Sequence, residues 1–514
     1  MLIFLFIINF ININYKKVFF FIIDMDYYLC FDLGTTKIKS SLLDENGQIV
    51  YFSSIESKTY YDDGIYQKPE EYFNTVISEI NIIKKKYYSE FRQVKTFICS
   101  GQMAGILGID ENWNVVFPWT YSLDNRFNTY LENIEGKIGE LVRLRSGGYA
   151  FCAGKILWIK NDFPQIYKKI KKFINLATYV SGRMCNLKTE DAFIDYSGAA
   201  LWGLADIQNS KWDFEVCKIC KIDINKLPDI LRPFEIIGYV KKNVFNTDKD
   251  IEVMVGCGDQ IAGFLGSGII NNNDVVDVTG TYTVLGYCSD KFKSDLKNKV
   301  FTSIYSGIED IFYQMAVIAA GGYIYKWFIE KFDYKPMLKF EDYNGSKGLY
   351  FIPYIGGRYH PLQPYYDGSW LGISWEHNLN DFCASLLESF GYELNFYLEL
   401  LKELNNLNKN EIKNIKVIGG GSEDNFWNNI KVNILNLKYL KLNKIPYEIM
   451  GLFLIAKYKS KLRNGFKKLI KGGIIYTEKV ITPQKERVIA YNKNKENYLK
   501  IINKLDKIYY EIKK

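Results

Sequence analysis

The residues in this chain best suited to chemistry are carboxylates set beside glycine-rich turns. In Val255-Gly-Cys-Gly-Asp259-Gln-Ile-Ala-Gly-Phe-Leu-Gly-Ser-Gly268 an acidic residue follows an apolar strand pattern and opens a helix of small residues. Aspartate is a favoured helix N-cap, so a cap without chemistry is one reading. The other is a base: a carboxylate at a domain seam, in a segment poor in other charges, can take the proton of a hydroxyl as it attacks a γ-phosphate. With only His360 and His377 in the whole sequence, His-rich metal sites and histidine-based proton transfer are poor alternatives. The chemistry falls to carboxylates.

Three glycine loops accompany Asp259. The first lies in Asp32-Leu-Gly-Thr-Thr-Lys-Ile-Lys39, between two alternating strand patterns that end at the turn Glu45-Asn46-Gly47. Backbone N–H groups of a Gly34-Thr35-Thr36 turn converge on one point, hydroxyls and Lys37 add donors, and Asp32 is placed to hold Mg²⁺ through water. That set suits a polyphosphate. An ordinary hairpin is the alternative, since neither of the common nucleotide fingerprints is matched. The second loop is Asp274-Val-Val-Asp-Val-Thr-Gly-Thr-Tyr-Thr-Val-Leu-Gly286, again strand, Gly-Thr turn, strand. The third, Val417-Ile-Gly-Gly-Gly-Ser-Glu-Asp-Asn-Phe-Trp427, joins a buried strand pattern to a helical one over 426–437. Its glycines let a flat base approach the backbone, although tight packing alone would also use them.

The elements that must position these loops come from a chain of 514 residues, enough for two large domains or about three ordinary ones. Hydrophobic residues at 48% and aromatics at 16% supply packed cores and exclude a disordered or fibrous chain. The net charge of +8 is a mild excess for this length and asks for no nucleic-acid partner. Nine cysteines, odd in number and mostly solitary, fit reduced thiols in the cytoplasm; Cys217 and Cys220 share one face of a short helix and read as packing. Residues 1–24 hold two apolar runs split by Tyr15-Lys-Lys17, each too short to span a bilayer, with neither the basic start nor the cleavage site of a signal peptide. They read as a non-structural extension, and no membrane role is expected. A polar stretch at 243–250 marks the expected seam between a first domain, 25–250, and a second, 251–514. The charged segment from Lys479 onward reads as a helix held by Tyr491 and Tyr498.

Taken together, the loops resemble the FGGY family of carbohydrate kinases, xylulokinase-like, in the sugar kinase, hexokinase and actin-like ATPase superfamily. Asp32–Lys39 resembles the family's first phosphate loop, Asp277-Val-Thr-Gly-Thr281 the second, and Gly419–Trp427 its adenosine motif. Gly356-Gly-Arg358 with His360-Pro361, then Gly368-Ser-Trp-Leu-Gly372 through Glu388, resembles the C-terminal signature region. The resemblance implies an α/β protein of two actin-like (ribonuclease H-like) ATPase domains with an inter-domain cleft. It also implies ATP and Mg²⁺ as cofactors and a small sugar or polyol as substrate, with a homodimer open.

Carried over residue by residue, the resemblance makes Asp259 the catalytic base and assigns Asp32 to the metal-water shell. It puts Thr35, Thr36, Lys37, Gly280 and Thr281 on phosphates and Gly322 and Lys326 along the nucleotide cleft. Gly421, Ser422 and Asn425 hold adenosine. Ser100-Gly-Gln-Met-Ala-Gly105 and Ser122-Leu-Asp-Asn-Arg126 resemble the sugar loops, which with Gln260 offer Gln102, Met103, Asp124 and Asn125 beside Asp259. Arg126 is alternatively a partner that holds Asp124. Ala104 stands where xylulokinase-like members carry His, and Leu123 replaces a polar neighbour. The expected substrate is a small ketose or polyol, a ketopentose such as xylulose or a deoxy-ketose first. Glycerol, gluconate, erythritol, sedoheptulose and a non-catalytic regulator are the alternatives.

Overall fold

The computed structural model describes residues 25–121, 124–335, 339–343, 345–408 and 410–513; the extension at 1–24, Ser122 and Leu123 lie outside them. Two seven-stranded sheets organise the chain. The first begins with the expected hairpin: β1 (Tyr27–Leu33) pairs antiparallel with β2 (Lys37–Leu43), which pairs with β3 (Ile49–Glu56). On its other edge β1 runs parallel to β4 (Val94–Gly101). The antiparallel pair β5 (Ile236–Val240) and β6 (Ile251–Met254) follows, with the short β7 (Cys257–Gly258) also alongside β4.

This topology moves the domain seam. The polar segment around 243–250 resembles a linker, but it connects two strands of one sheet, so a division at 250/251 falls inside the first sheet. The chain leaves that sheet only after Gly258.

The second sheet repeats the scheme. β8 (Val275–Thr279) and β9 (Thr283–Ser289) form the second hairpin, β10 (Thr302–Tyr305) and β11 (Phe312–Ala319) extend it antiparallel beyond β9, and β12 (Asn414–Ile418) and β13 (Lys438–Leu442) run parallel beyond β8. β14 (Thr477–Ile481) closes the edge. Each half therefore places its glycine-threonine turn at the tip of its central hairpin.

The helices that matter for the site are α1 (Phe151–Asp162), α2 (Asp259–Gly266), α3 (Gly321–Lys331), α4 (Asn425–Leu435) and α5 (Tyr447–Tyr458). Alpha-helices α2 and α5 cross almost backbone to backbone, because a β-carbon on Gly451 would stand 2.0 Å from the Ala262 carbonyl oxygen, and one on Gly266 1.9 Å from that of Tyr447. From the other face of α5, Phe453 meets Tyr28 of β1 edge-on at 5.3 Å, which ties this helix of the second half to the first sheet. The final helix, Lys485–Lys513, buries Tyr491 and Tyr498 as its pattern predicts. All nine cysteines are free thiols. Among the described residues no helix is long and apolar enough to cross a membrane.

Candidate active site

Asp32 is the penultimate residue of β1 and is 3% exposed. Antiparallel register sets Lys39 of β2 directly opposite it. One carboxylate oxygen accepts from the Ser100 hydroxyl at 2.8 Å, and the other lies 3.1 Å from Lys39 Nζ. Lys39 also reaches Glu448 Oε2 on α5 at 2.9 Å. Burial pushes the Asp32 carboxyl above its usual range; Lys39 opposes this and Glu448 adds to it. For Lys39 burial works the other way, but its two carboxylates outweigh it and hold the ammonium charged.

Asp259 opens α2, as its sequence context predicts, and its Oδ1 accepts from the Gln260 N–H at 2.7 Å. Surrounding protein pushes its carboxyl up to about 7, with the Asp32 charge the next contribution; Glu448 acts in the same sense and Lys39 against it. A carboxyl that titrates near neutrality is matched to general-base work. Its strand is pinned from below, where the Gly258 N–H donates to Ser197 Oγ at 2.9 Å. Met103 packs over Gly258, one residue from the aspartate.

The Gly34–Thr36 turn closes through a Gly34 N–H donated to the Lys37 carbonyl at 3.1 Å, leaving Thr36 and Lys37 exposed. The Thr35 carbonyl accepts from Gln67 Nε2 at 2.9 Å. Gln67 in turn accepts from Gln102 Nε2 at 2.7 Å, and the same Gln102 nitrogen donates to Tyr72 OH at 3.2 Å, while Gln102 Oε1 accepts from Trp119 Nε1 at 3.2 Å. Gln102 thus ties the Gly34–Thr36 turn, through Gln67, to the segment that carries Trp119. Both of its amide hydrogens are spent, and what it still offers a hydroxyl is one lone pair of Oε1. Asp124 is likewise engaged: its carboxylate takes the Arg126 backbone N–H at 3.1 Å, Nε at 2.9 Å and the terminal nitrogen at 2.6 Å, while the guanidinium stacks 4.5 Å over Trp158. The loop-holding alternative describes this pair. Asn125 next to it is exposed, and Gln260 is partly exposed.

In the second half three loops meet at Thr279 and Gly280. The Gly322 N–H donates to the Gly280 carbonyl at 3.1 Å and that of Tyr323 to Thr281 at 3.2 Å, which docks the second turn on the start of α3. No side chain is tolerated at this contact, since a β-carbon on Gly322 would sit 2.3 Å from the Gly280 oxygen; one on Gly421 would sit 2.3 Å from Thr279 Cγ2. Ser422 is buried, donating to the Gly419 carbonyl at 2.6 Å. Asn425 begins α4 behind the capping Asp424 and accepts from Lys479 at 3.2 Å. Lys326 is exposed on α3, 3.6 Å from Glu330. Beneath the loops Lys431 of α4 donates to Asp277 at 2.8 Å and to Thr279 Oγ1 at 2.7 Å.

Sequence reasoning missed Lys39, Gln67, Glu448 and Lys431. A signal existed for Lys39, because a turn centred on Thr35 and Thr36 sets residues 32 and 39 in cross-strand register. Glu448 and Lys431 meet partners far away in sequence, and nothing local marks them.

Paired three-strand meanders extended by parallel strands, with glycine turns at both hairpin tips, define the actin-like ATPase fold. The family model for the FGGY family of carbohydrate kinases, N-terminal domain, matches residues 27–266, and that for the C-terminal domain matches 276–448. The chain is 26% identical to a xylulose kinase of Lactococcus lactis over 91% of its own length and 94% of that protein. It is 25% identical to a gluconokinase of Bacillus subtilis over 84% of itself and 87% of that protein. Among solved structures, a ligand-bound xylulose kinase from Lactobacillus acidophilus superposes with a TM-score of 0.84 over 95% of this chain and all of that one, at 21% identity. The chain belongs to the FGGY family of carbohydrate kinases, whose members are ATP-dependent phosphotransferases acting on sugar hydroxyls.

Proposed function

We propose that this kinase transfers the γ-phosphoryl group of ATP to a terminal hydroxyl of a small ketose or polyol, a ketopentose such as xylulose or a deoxy-ketose first. The observation that carries the reading is the placement of Asp259 at the start of α2, where the charges of Asp32, Lys39 and Glu448 all act on its carboxyl. As the acceptor oxygen forms its bond to the γ-phosphorus, its proton passes to Asp259, the bond from phosphorus to the β–γ bridging oxygen breaks, and ADP leaves with that electron pair.

Thr35, Thr36, Lys37, Gly280 and Thr281 would cradle phosphates, with Gly322 and Lys326 along the nucleotide and Gly421, Ser422 and Asn425 at adenosine. Gln102, Met103, Asp124, Asn125 and Gln260 would surround the acceptor. Asp32 fits a Mg²⁺-water shell, since a carboxylate accepting one hydroxyl and one ammonium keeps lone pairs for a metal-bound water. Bound there, Mg²⁺ would neutralise phosphate charge. Xylulose draws support from relatives named xylulose kinase, and gluconate from those named gluconokinase. The free thiols suit the cytoplasm.

The test is ADP release by the full chain, stimulated by a panel of ketopentoses, deoxy-ketoses, sedoheptulose, erythritol, glycerol and gluconate. One acceptor, a ketopentose or deoxy-ketose, should stand out in kcat/KM. A panel that stimulates nothing refutes the kinase reading, and gluconate or glycerol at the top refutes the ketose assignment.

A further inference from the structure

Lys155 of α1 is 1% exposed, and among the described residues it forms no ion pair. Asp124, whose charge acts on it, is occupied by Arg126. Its ammonium instead points at three main-chain carbonyls: Ala104 at 3.1 Å, Thr120 at 3.2 Å and Tyr121 at 2.7 Å. Three donors meet three acceptors. Burying a cation is costly, and an apolar side chain would fill the same space without that cost, so the charge is explained by what it organises.

The carbonyls lie at the open end of an antiparallel hairpin, Ile106–Ile109 with Val115–Thr120, where its two strands part beyond the Ile106–Thr120 pair. Ala104 follows Gln102 and Met103, whereas Thr120 and Tyr121 lead into Asp124. The same two stretches are also joined by the Ile106–Thr120 strand pairing and by the Trp119 indole N–H to Gln102. We infer that Lys155 is a positioning residue that holds the two acceptor-binding segments at their spacing where they leave the hairpin, through their backbones, touching neither substrate nor nucleotide. The inference rests on the proposed reading that these segments hold the sugar.

The experiment compares wild type, Lys155→Met and Lys155→Gln as full chains, with Asp259→Asn alongside. KM for the preferred acceptor, KM for ATP and kcat are measured, together with the affinity for a fluorescent ADP analogue in the absence of sugar. Lys155→Met should raise the acceptor KM by about tenfold or more, as expected for a displaced binding segment. Its ATP KM and analogue affinity should stay within about twofold, with Lys155→Gln, which retains two donors, in between. An unchanged acceptor KM, or equal rises for both ligands, overturns the inference; so does loss of the fold in both variants, which would make Lys155 a scaffold residue only. If wild type phosphorylates and Asp259→Asn does not, such a result condemns Lys155 alone. If wild type uses no acceptor at all, both readings fall together.

Discussion

Lys431 and Asp277 face each other at 2.8 Å with neither side chain exposed, one on the helix after the adenosine loop and the other two residues before the Thr279–Gly280 turn. Burial lowers the Lys431 ammonium, and Asp277 opposes it. The carboxylate also accepts from Tyr439 OH at 3.0 Å and from Thr279 Oγ1 at 3.0 Å. Lys431→Met leaves that carboxylate buried without its cation, so the variant should lose about 3–5 kcal/mol. Adding Asp277→Leu should recover most of the loss. Urea midpoints measure both, and equal destabilisation of the single and double variants would show that the pair is not coupled.

Asp259→Asn should cut turnover by roughly two to four orders of magnitude while ATP still binds. In the wild type kcat/KM should climb as pH passes through 7 and level off above it, because the carboxyl must be ionised to accept a proton. Its titration runs from 3.8 unfolded to about 7 folded, so the folded state holds the extra proton and stability falls as pH rises across that window. The asparagine variant should therefore melt higher than wild type above pH 7, and the difference should vanish below pH 3.8. A lower melting temperature above pH 7 would contradict the assigned shift.

Glu448→Gln removes a negative charge that helps to raise Asp259 and withdraws one of the two partners of Lys39. The acid limb of the pH–rate profile should move to lower pH. A limb that stays in place would mean that Glu448 is electrically remote from the base.

Gly322→Ala forces a β-carbon to within 2.3 Å of the Gly280 carbonyl unless the second turn gives way. The KM for ATP should rise about tenfold, with the acceptor KM within about twofold. Equal changes in both constants would place Gly322 outside the nucleotide side.

Much of this arrangement was legible in the chain because it is local. The Tyr27–Leu43 hairpin, its echo at Val275–Ser289, the start of α2 at Asp259 and the Asp124–Arg126 pair all join residues close in sequence. The seam was misread because pairing between strands far apart in sequence leaves no mark on either one: Ile251–Met254 lies beside Val94–Gly101, while the polar stretch before it, which resembles a linker, only joins it to its neighbour Ile236–Val240. The buried lysines were hidden for a second reason. In a chain with Lys in every segment, nothing distinguishes Lys39, Lys155 or Lys431 from solvated neighbours until the carbonyl or carboxylate each one serves is brought to it by folding.

The crossing of α2 and α5 bears on recombination with relatives. A chimera is safest when it takes 259–266 and 447–458 from one parent, because a single methyl group at Gly266 or Gly451 would wedge the pair open. Breakpoints between 267 and 274 divide the two helices between parents and would leave this joint intact only if the donor of 447–458 also has glycine at position 451.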